Sequence, residues 1–456
     1  FSEWILGHQH QLIGYSDNSD RLDRIAGLAR KMKARLPGVY QVIGDHVASH
    51  HADEILAGET GFDAVCIGEG EHVLVELLQR LEKGEPPEGI PGLLTRIGGR
   101  SRFSPRPKIA APSMLPWPKR YVLSHQEPGI RGAYSCVMIG SRGCPYRCGF
   151  CGNDLYQKLC PGIAWRPREA SEVVDEMEFL YRNQGVNSFT FLDELFVGPP
   201  SRKNRDRLFR FCDEIRRRRF TITFRITCRA DFFDPPHDRE LMVALREAGL
   251  DKIFFGIENG YPATINLYSK GPDVTAVRMI ENVNFARDNG VFPFISFIMF
   301  HPFISAEEIL FNLDFIHKLG NSHLWGTYTS RLRVTPDMSL FGVVNNSGLL
   351  RSGEKWGERS YGFADSRMQK VWERFTQAGR YFREIDHDLE AILFKLFHAG
   401  NEGKRLHESL RCRVGATYAY FIRAMMREDV ATSELLRTSR DIRSLIDRAE
   451  AQLDNS

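Results

Sequence analysis

The stretch Ser141-Arg-Gly-Cys-Pro-Tyr-Arg-Cys-Gly-Phe-Cys-Gly152 constrains this chain more than any other. It places Cys144, Cys148 and Cys151 in a C-x₃-C-x₂-C run. Three thiols this close can hold three corners of an iron–sulfur cluster, because thiolates are the usual ligands of cluster iron. A four-iron cube held by three ligands keeps one iron open, and an open position marks a catalytic rather than a structural metal site. The competing readings are a zinc site and ordinary core cysteines. Zinc is usually closed by a second pair of ligands, and no second C-x₂-C occurs.

A length of 456 residues allows about two or three domains. The net charge of +3 gives no reason to invoke nucleic acid or an acidic membrane surface. No apolar run approaches the roughly 18 residues of a spanning helix. The nine cysteines, an odd number with three clustered, argue against a disulfide framework. A reducing, cytoplasmic setting suits both the thiols and an oxygen-sensitive cluster. No signal peptide is visible, and the opening at Phe1 rather than Met leaves room for an upstream segment.

Residues 11–15 read as a short buried strand. Residues 19–36 read as a helix with Leu22, Ile25, Leu28, Ala29 and Met32 at helical spacing. Strands at 40–44 and 63–68 and helices at 52–57 and 71–81 continue the alternation, which predicts a doubly wound parallel sheet. Ligands bind such sheets at the carboxyl ends of the strands. Those ends carry Gly44-Asp45-His46 and Gly68-Glu69-Gly70-Glu71. Their glycines permit close backbone approach, although an ordinary tight turn explains any single one as well. Only three strands fit before Gly84, so this is part of a domain. Residues 84–135 are rich in Pro and Gly and read as a linker with one hairpin near 93–103.

From Cys136 the alternation restarts. Strands at 137–140, 187–192, 221–228, 252–256, 292–300 and 324–334 alternate with helices that begin near Ser171, Arg202, Pro236, Asp273 and Ser305. Six such units predict a parallel or open barrel with its site at the carboxyl ends of the strands. Those ends carry Asp193-Glu194, Arg229-Ala-Asp231, Gly256-Ile-Glu-Asn-Gly260 and His301. Beyond Pro336 the pattern turns helical, near 364–383, 387–402, 406–427 and 432–453. The four arginines at 216–219 read as a solvated helix end.

Cys-Pro-Tyr-Arg-Cys-Gly-Phe-Cys, preceded by Ser-Arg-Gly, resembles the cluster motif of the radical S-adenosylmethionine (radical SAM) enzymes. Later segments resemble that family in order and spacing: Leu192-Asp-Glu-Leu-Phe196, Thr227-Cys-Arg-Ala-Asp231, Phe255-Gly-Ile-Glu-Asn-Gly260 with Tyr268-Ser-Lys-Gly271, and Thr335-Pro-Asp-Met-Ser-Leu-Phe341. Val42-Ile-Gly-Asp-His-Val-Ala-Ser49 and Phe62-Asp-Ala-Val-Cys-Ile-Gly-Glu-Gly-Glu71 resemble the cobalamin-binding domain that precedes the barrel in one large subclass. The resemblance implies an α/β chain in four parts. A partial Rossmann-like cobalamin-binding domain (1–95), lacking the family's first strand and helix, leads through a linker (96–135) to a (β/α)6 partial TIM barrel (136–341). A C-terminal helical domain (342–456) follows. Two departures stand out: no Asp-x-His-x-x-Gly supplies a histidine to cobalt, and His301-Pro-Phe303 replaces the more usual Gly-x-Pro-Gly-Glu.

The same resemblance implies the site. Cys144, Cys148 and Cys151 hold a [4Fe–4S] cluster whose open iron chelates SAM. Phe150 offers an apolar face to the adenine, Glu258 accepts hydrogen bonds from the ribose hydroxyls, and Glu194 lies near the methionine end. Arg229 meets the SAM carboxylate bidentately. Plain packing for Phe150, and structural ion pairs for Glu258 and Arg229, are the alternatives. Gly44, His46, Gly68, Glu69 and Gly70 line the cobalamin edge, with His46 as a contact or turn residue. Cys66, Cys136, Cys160, Cys212, Cys228 and Cys412 lack metal spacing and read as core or incidental. Cys160 is the one nearest the cluster loop. The implied activity is a cobalamin-dependent methyltransferase that carries methyl from SAM, via methylcobalamin, to a carbon of a small-molecule or peptide natural product, such as an indole carbon. The cofactors are the [4Fe–4S] cluster, SAM and cobalamin. The implied partners are the substrate and an electron donor such as flavodoxin or ferredoxin, with no nucleic acid and no membrane. The alternatives are a radical SAM cyclase or rearrangement enzyme without methyl transfer, and a non-catalytic cofactor-binding protein, against which the SAM-site residues argue.

Overall fold

Two five-stranded sheets organise the chain. The computed structural model describes residues 11–16, 22–97, 100–109, 111–120, 134–353 and 356–454. These divide into two units. The first holds the described residues up to Pro112 together with Gly143–Arg166 and Arg333–Tyr361. The second holds Ser113–Arg142, Pro167–Leu332 and the chain from Gly362 onward. Residues 1–10, and the part of the expected linker at 121–133, lie outside the described residues.

In the first unit, β1 (Leu12–Ser16), β2 (Tyr40–Gly44) and β3 (Ala64–Cys66) run parallel. Alternation along the strands serves two layers. Ile43 and Val65 pack with Leu22, Ala26 and Ala29 of helix Leu22–Arg35 and with Ile55 of helix Ala52–Ala57. Val42 and Ala64 pack on the other face with Val73 and Leu77 of helix Glu71–Glu82. The hairpin expected inside a linker is β4 (Leu93–Ile97) with β5 (Arg100–Arg102), and β4 pairs antiparallel with β3. The first sheet therefore runs past residue 95. Leu93 and Leu94 are 1% and 2% exposed, and burying them on the sheet is what draws the hairpin out of the loop. Trp356, far along the chain, packs into the same core and donates from Nε1 to Glu54 at 3.1 Å.

The second unit is a partial TIM barrel. Its strands β6 (Tyr134–Met138), β7 (Val186–Phe191), β8 (Thr223–Arg229), β9 (Leu250–Glu258) and β10 (Phe292–Phe297) lie side by side in chain order, all parallel. Helices Ala170–Gln184, Arg202–Arg218, Arg239–Glu247, Ala276–Asp288 and Ala306–Leu319 connect or follow them. Ser201, Thr275 and Ser305 cap three of these by accepting the amides of Asn204, Arg278 and Glu308. In β8, Phe224, Ile226 and Cys228 are buried, while Arg225, Thr227 and Arg229 occupy the opposite face.

Two expectations fail here. Residues 324–334 do not form a sixth strand: Trp325–Thr329 is a helical turn, and β pairing survives only as single bridges, Phe300 with Arg331 and Val334 with Arg359. The reason is Trp325, 0% exposed, whose ring packs on Phe382 and Tyr418 at 4.8 and 5.0 Å. Asp386 accepts the amides of Trp325 and Gly326 at 2.9 and 2.7 Å and so rewards a turn over a ladder. The expected helix break near 384–386 is also absent. Arg367–Phe397 is one helix of 31 residues, because the buried stripe Phe382, Ile385, Leu389, Ile392 continues through it. Helices Gly400–Met425 and Thr432–Asp454 pack against it. Among the described residues no helix is long and apolar enough to cross a membrane.

Because Trp325 joins the barrel sequence to the C-terminal helices, Trp325→Ala is expected to cost about 3–5 kcal/mol. Urea unfolding followed by circular dichroism measures this. A change below about 1 kcal/mol would show that the aromatic cluster does not anchor these helices.

Candidate functional site

The cysteine loop begins where β6 ends. Gly140 donates its amide to both oxygens of Asp193, at 3.1 and 2.9 Å, and Ser141 Oγ donates to Asp193 at 2.5 Å. Asp193 is 2% exposed. Burial pushes its carboxyl up to about 6, against the lowering effect of the Ser141 and Gly140 hydrogen bonds and of nearby Arg207. Thr227 Oγ1 donates to the Asp193 carbonyl at 2.6 Å, which ties β8 to the same point. Reading the sequence missed Asp193 in favour of its neighbour Glu194, which is exposed. The usable signal was the short polar pair Gly140-Ser141, which must find a buried acceptor at the strand end.

Beyond it, Gly143 has φ +78°, and a Cβ there would collide with Ala164 O. Only glycine turns the chain in this way without cost. Cys144, Cys148 and Cys151 follow, all partly exposed and none in a disulfide. The Cys151 amide donates to Cys148 O at 3.0 Å, which makes a tight turn ahead of helix Asn153–Leu159. Phe150 is half-buried. Residues from beyond the barrel sequence fasten this loop: the Leu340 amide donates to Gly149 O at 2.9 Å, and Ser339 Oγ to Asp154 at 3.0 Å. Among the described residues no three His, Cys, Asp or Glu are gathered to hold a single metal ion. By the chemistry of the donor set, three soft thiols on one folded loop are suited to an iron–sulfur cluster.

The cysteine loop and the N-terminal sheet belong to one unit. His46 stacks on Tyr156, with centroids 3.8 Å apart and planes at 17°. Arg166 grips Glu69 bidentately, at 3.0 and 2.7 Å. Glu69 also accepts the Ile109 amide at 2.6 Å. Lys108 donates to Gln157 O and Cys160 O at 2.6 and 2.5 Å. Gly68 has φ +84°, and a Cβ on it would strike Cys160 Sγ. A cavity of about 370 Å³ opens at the carboxyl ends of β1, β2 and β3. Gly44, Gly68 and Gly70 line it, with Tyr15, Asp45 and Cys66. His46 and Glu69 do not: stacking and the Arg166 fork give them structural partners. Cys66 is half-buried, and burial pushes its thiol up to about 12. Burial likewise raises the Cys160 thiol. Neither is poised as a thiolate.

The second unit holds the other expected residues. Arg229 gives its fork to Asp231, at 2.9 and 3.0 Å, and donates to Lys270 O at 2.6 Å. The structural ion pair expected as its alternative is thus present. Lys270, 4% exposed, donates to Gly256 O at 2.8 Å and lies 3.7 Å from Glu258 Oε1. Glu258 and Arg229 therefore meet through Lys270. Glu258 is left-handed, φ +64°, at an irregularity in the β9–β10 register. For a residue with a Cβ that costs about 1–3 kcal/mol. Neighbouring Asn259, 0% exposed, holds it in place by donating to Ile298 O at 3.2 Å and Glu308 at 3.0 Å.

Comparison with known proteins places a familiar domain in this region. Residues 138–316 match the radical SAM superfamily, so the chain carries a radical SAM domain, the kind that holds a [4Fe–4S] cluster and SAM. An uncharacterized methyltransferase of Pyrococcus horikoshii is 30% identical over 258 residues, 56% of this chain and 53% of that protein. An anaerobic magnesium-protoporphyrin IX monomethyl ester cyclase of Synechocystis sp. is 27% identical over 289 residues, 62% and 56% of the two chains. The chain spans about half the length of these curated relatives. The cobalamin-dependent S-adenosylmethionine radical enzyme OxsB with aqua-cobalamin bound shares the fold, with TM-score 0.72 and 16% identity over 99% of this chain and 73% of that one.

Asp193→Ala strands the buried Gly140 amide, worth about 1–3 kcal/mol, and leaves the Ser141 hydroxyl only the Leu195 carbonyl. Both unfolding free energy and iron retained after anaerobic reconstitution are expected to fall. Wild-type values for both would remove Asp193 from its positioning role.

Proposed function

We propose that this chain is a cobalamin-dependent radical SAM methyltransferase acting on a carbon of a small-molecule or peptide substrate. The observation that carries the reading is the first unit itself. One fold holds the three-cysteine loop and, at its sheet edge, a glycine-lined cavity of about 370 Å³. That is the edge at which parallel sheets take large ligands. The methyltransferase-named relative and the cobalamin carried by the structural neighbour support it.

When bound, the cluster supplies the electron that cleaves SAM, and cobalamin supplies a carrier for methyl. The chain's own residues do the rest. Cys144, Cys148 and Cys151 serve as thiolate ligands. Phe150 presents its ring to the adenine. Glu258 accepts from the ribose hydroxyls, with Lys270 holding its carboxylate. Glu194 is placed toward the methionine end. Arg229 acts by positioning Lys270 rather than by gripping SAM, because Asp231 already takes its fork. Gly44, Gly68 and Gly70 let a flat macrocycle approach the backbone. A low-potential electron donor completes the system.

A second reading, a radical cyclase, is favoured by the cyclase-named relative. Methyl-deuterated SAM separates the two. Protein reconstituted anaerobically with iron, sulfide and cobalamin is expected to form S-adenosylhomocysteine in step with bound cobalamin and to lose it in Cys148→Ala. Release of 5′-deoxyadenosine alone, with no S-adenosylhomocysteine, would overturn methyl transfer in favour of the cyclase.

A further inference from the structure

The inner face of the second unit's sheet carries charge where an apolar filling is the rule for barrels. Arg225 on β8 and Lys252 on β9 are paired in register, and Phe254 on β9 stands opposite Phe294 on β10. With Glu390 of helix Arg367–Phe397 they line a cavity of about 250 Å³. Phe394 and Phe397 of that helix pack on Phe292 beside it. Lys252 Nζ lies 3.8 Å from the centroid of the Phe394 ring.

Two cationic side chains and one carboxylate line this cavity. Burial pushes the Glu390 carboxyl up, and nearby Lys252, His387 and Arg225 act in the opposite sense. Arg225 is exposed and Lys252 half-buried at the cavity wall, where two cations beside one carboxylate favour an anionic ligand. The walls suit a flat apolar body. Phe254 and Phe294 are tilted at 39° with centroids 5.4 Å apart, and Leu192, also lining the cavity, is 60% exposed. Arg225 lies four residues before Arg229 on the same strand, about 13 Å at strand rise. A ligand anchored at Arg225 therefore extends toward the strand end where Arg229, Lys270 and Glu258 meet. The volume falls just under the ~300–1,000 Å³ of ordinary ligand pockets, enough for a one- or two-ring molecule.

We infer that this cavity binds a small aromatic substrate through its carboxylate or phosphate, with Arg225 and Lys252 as the anion clamp and Glu390 as its competitor. The inference rests on the reading of the chain as a radical SAM enzyme, since that makes the bound molecule a substrate. Anion binding itself is measured without turnover, so either can fail alone.

The test is calorimetric titration of the cluster-reconstituted full chain with indole-3-acetate, its neutral amide indole-3-acetamide, and phenyl phosphate. The acid is expected to bind about tenfold or more tighter than the amide, in line with charge-assisted hydrogen bonds. Arg225→Gln is expected to abolish that preference, and Glu390→Gln to tighten acid binding by removing the competing carboxylate. Phenyl phosphate tighter than the acid assigns the anion as phosphate; the reverse assigns carboxylate. Equal binding of acid and amide, no binding of any probe at millimolar concentration, or weaker acid binding in Glu390→Gln would overturn the anion site. Arg225 is exposed to the cavity, so its variant is expected to fold; an unchanged circular dichroism melt verifies this.

Discussion

One buried carboxylate ties three strand ends of the second unit together. Asp193 takes the Gly140 amide and the Ser141 hydroxyl, and its own carbonyl takes the Thr227 hydroxyl. Three strand ends are thereby fixed by directional bonds rather than by packing alone. The arrangement is costly, since burial disfavours the ionised form strongly enough to push the group up to about 6. What it gives in return is direction. Apolar contacts fill space but tolerate sliding, whereas a carboxylate with two donors sets the angle at which the chain leaves β6. The cysteine run begins three residues after Ser141.

The fold class, the parallel strands and the cysteine loop were legible because each is local. Period-two and period-3.6 patterns, caps and a short motif lie within a few residues of one another. What escaped the sequence was settled by partners far along the chain. The segment at 324–334 has the β-branched and aromatic look of a strand, but Trp325 and Asp386, about 60 residues apart, make it a turn. The hairpin at 93–102 was legible, but its place in the first sheet was not, because that depends on Leu94 pairing with Val65. The break expected near 384–386 is absent because Ile385 and Leu389 keep the buried stripe intact.

The candidate residues show the same limit. Glu69 was expected to line the cobalamin edge, and Arg229 either to meet the SAM carboxylate or to sit in a structural ion pair. Neither Arg166, nearly a hundred residues from Glu69, nor the conformation that folds Asp231 back onto Arg229 could be read from spacing. A charge at a strand end is evidence for a site only when no neighbour satisfies it, and the sequence does not show the neighbour. The glycines at 44, 68 and 70 line the cavity at the strand ends, and what a glycine permits depends on its own backbone.

The unusual His301 also makes sense in these terms. Glu258 holds a left-handed conformation that must be maintained against its cost. Its neighbour Asn259 is held by Glu308, a carboxylate 3% exposed, which also accepts from Thr264 Oγ1 at 2.8 Å. Such a group is tolerated only if its oxygens are well supplied with donors. His301 Nε2 lies 3.0 and 3.1 Å from the two Glu308 oxygens, while the Phe303 amide donates to Nδ1 at 3.3 Å. An accepting Nδ1 puts the proton on Nε2, so the imidazole is a further donor to Glu308. A glycine at 301 would leave Glu308 short of a partner and weaken the hold on Asn259. The departure at His301 thus belongs to the same buried network that keeps the Glu258 backbone in its strained turn.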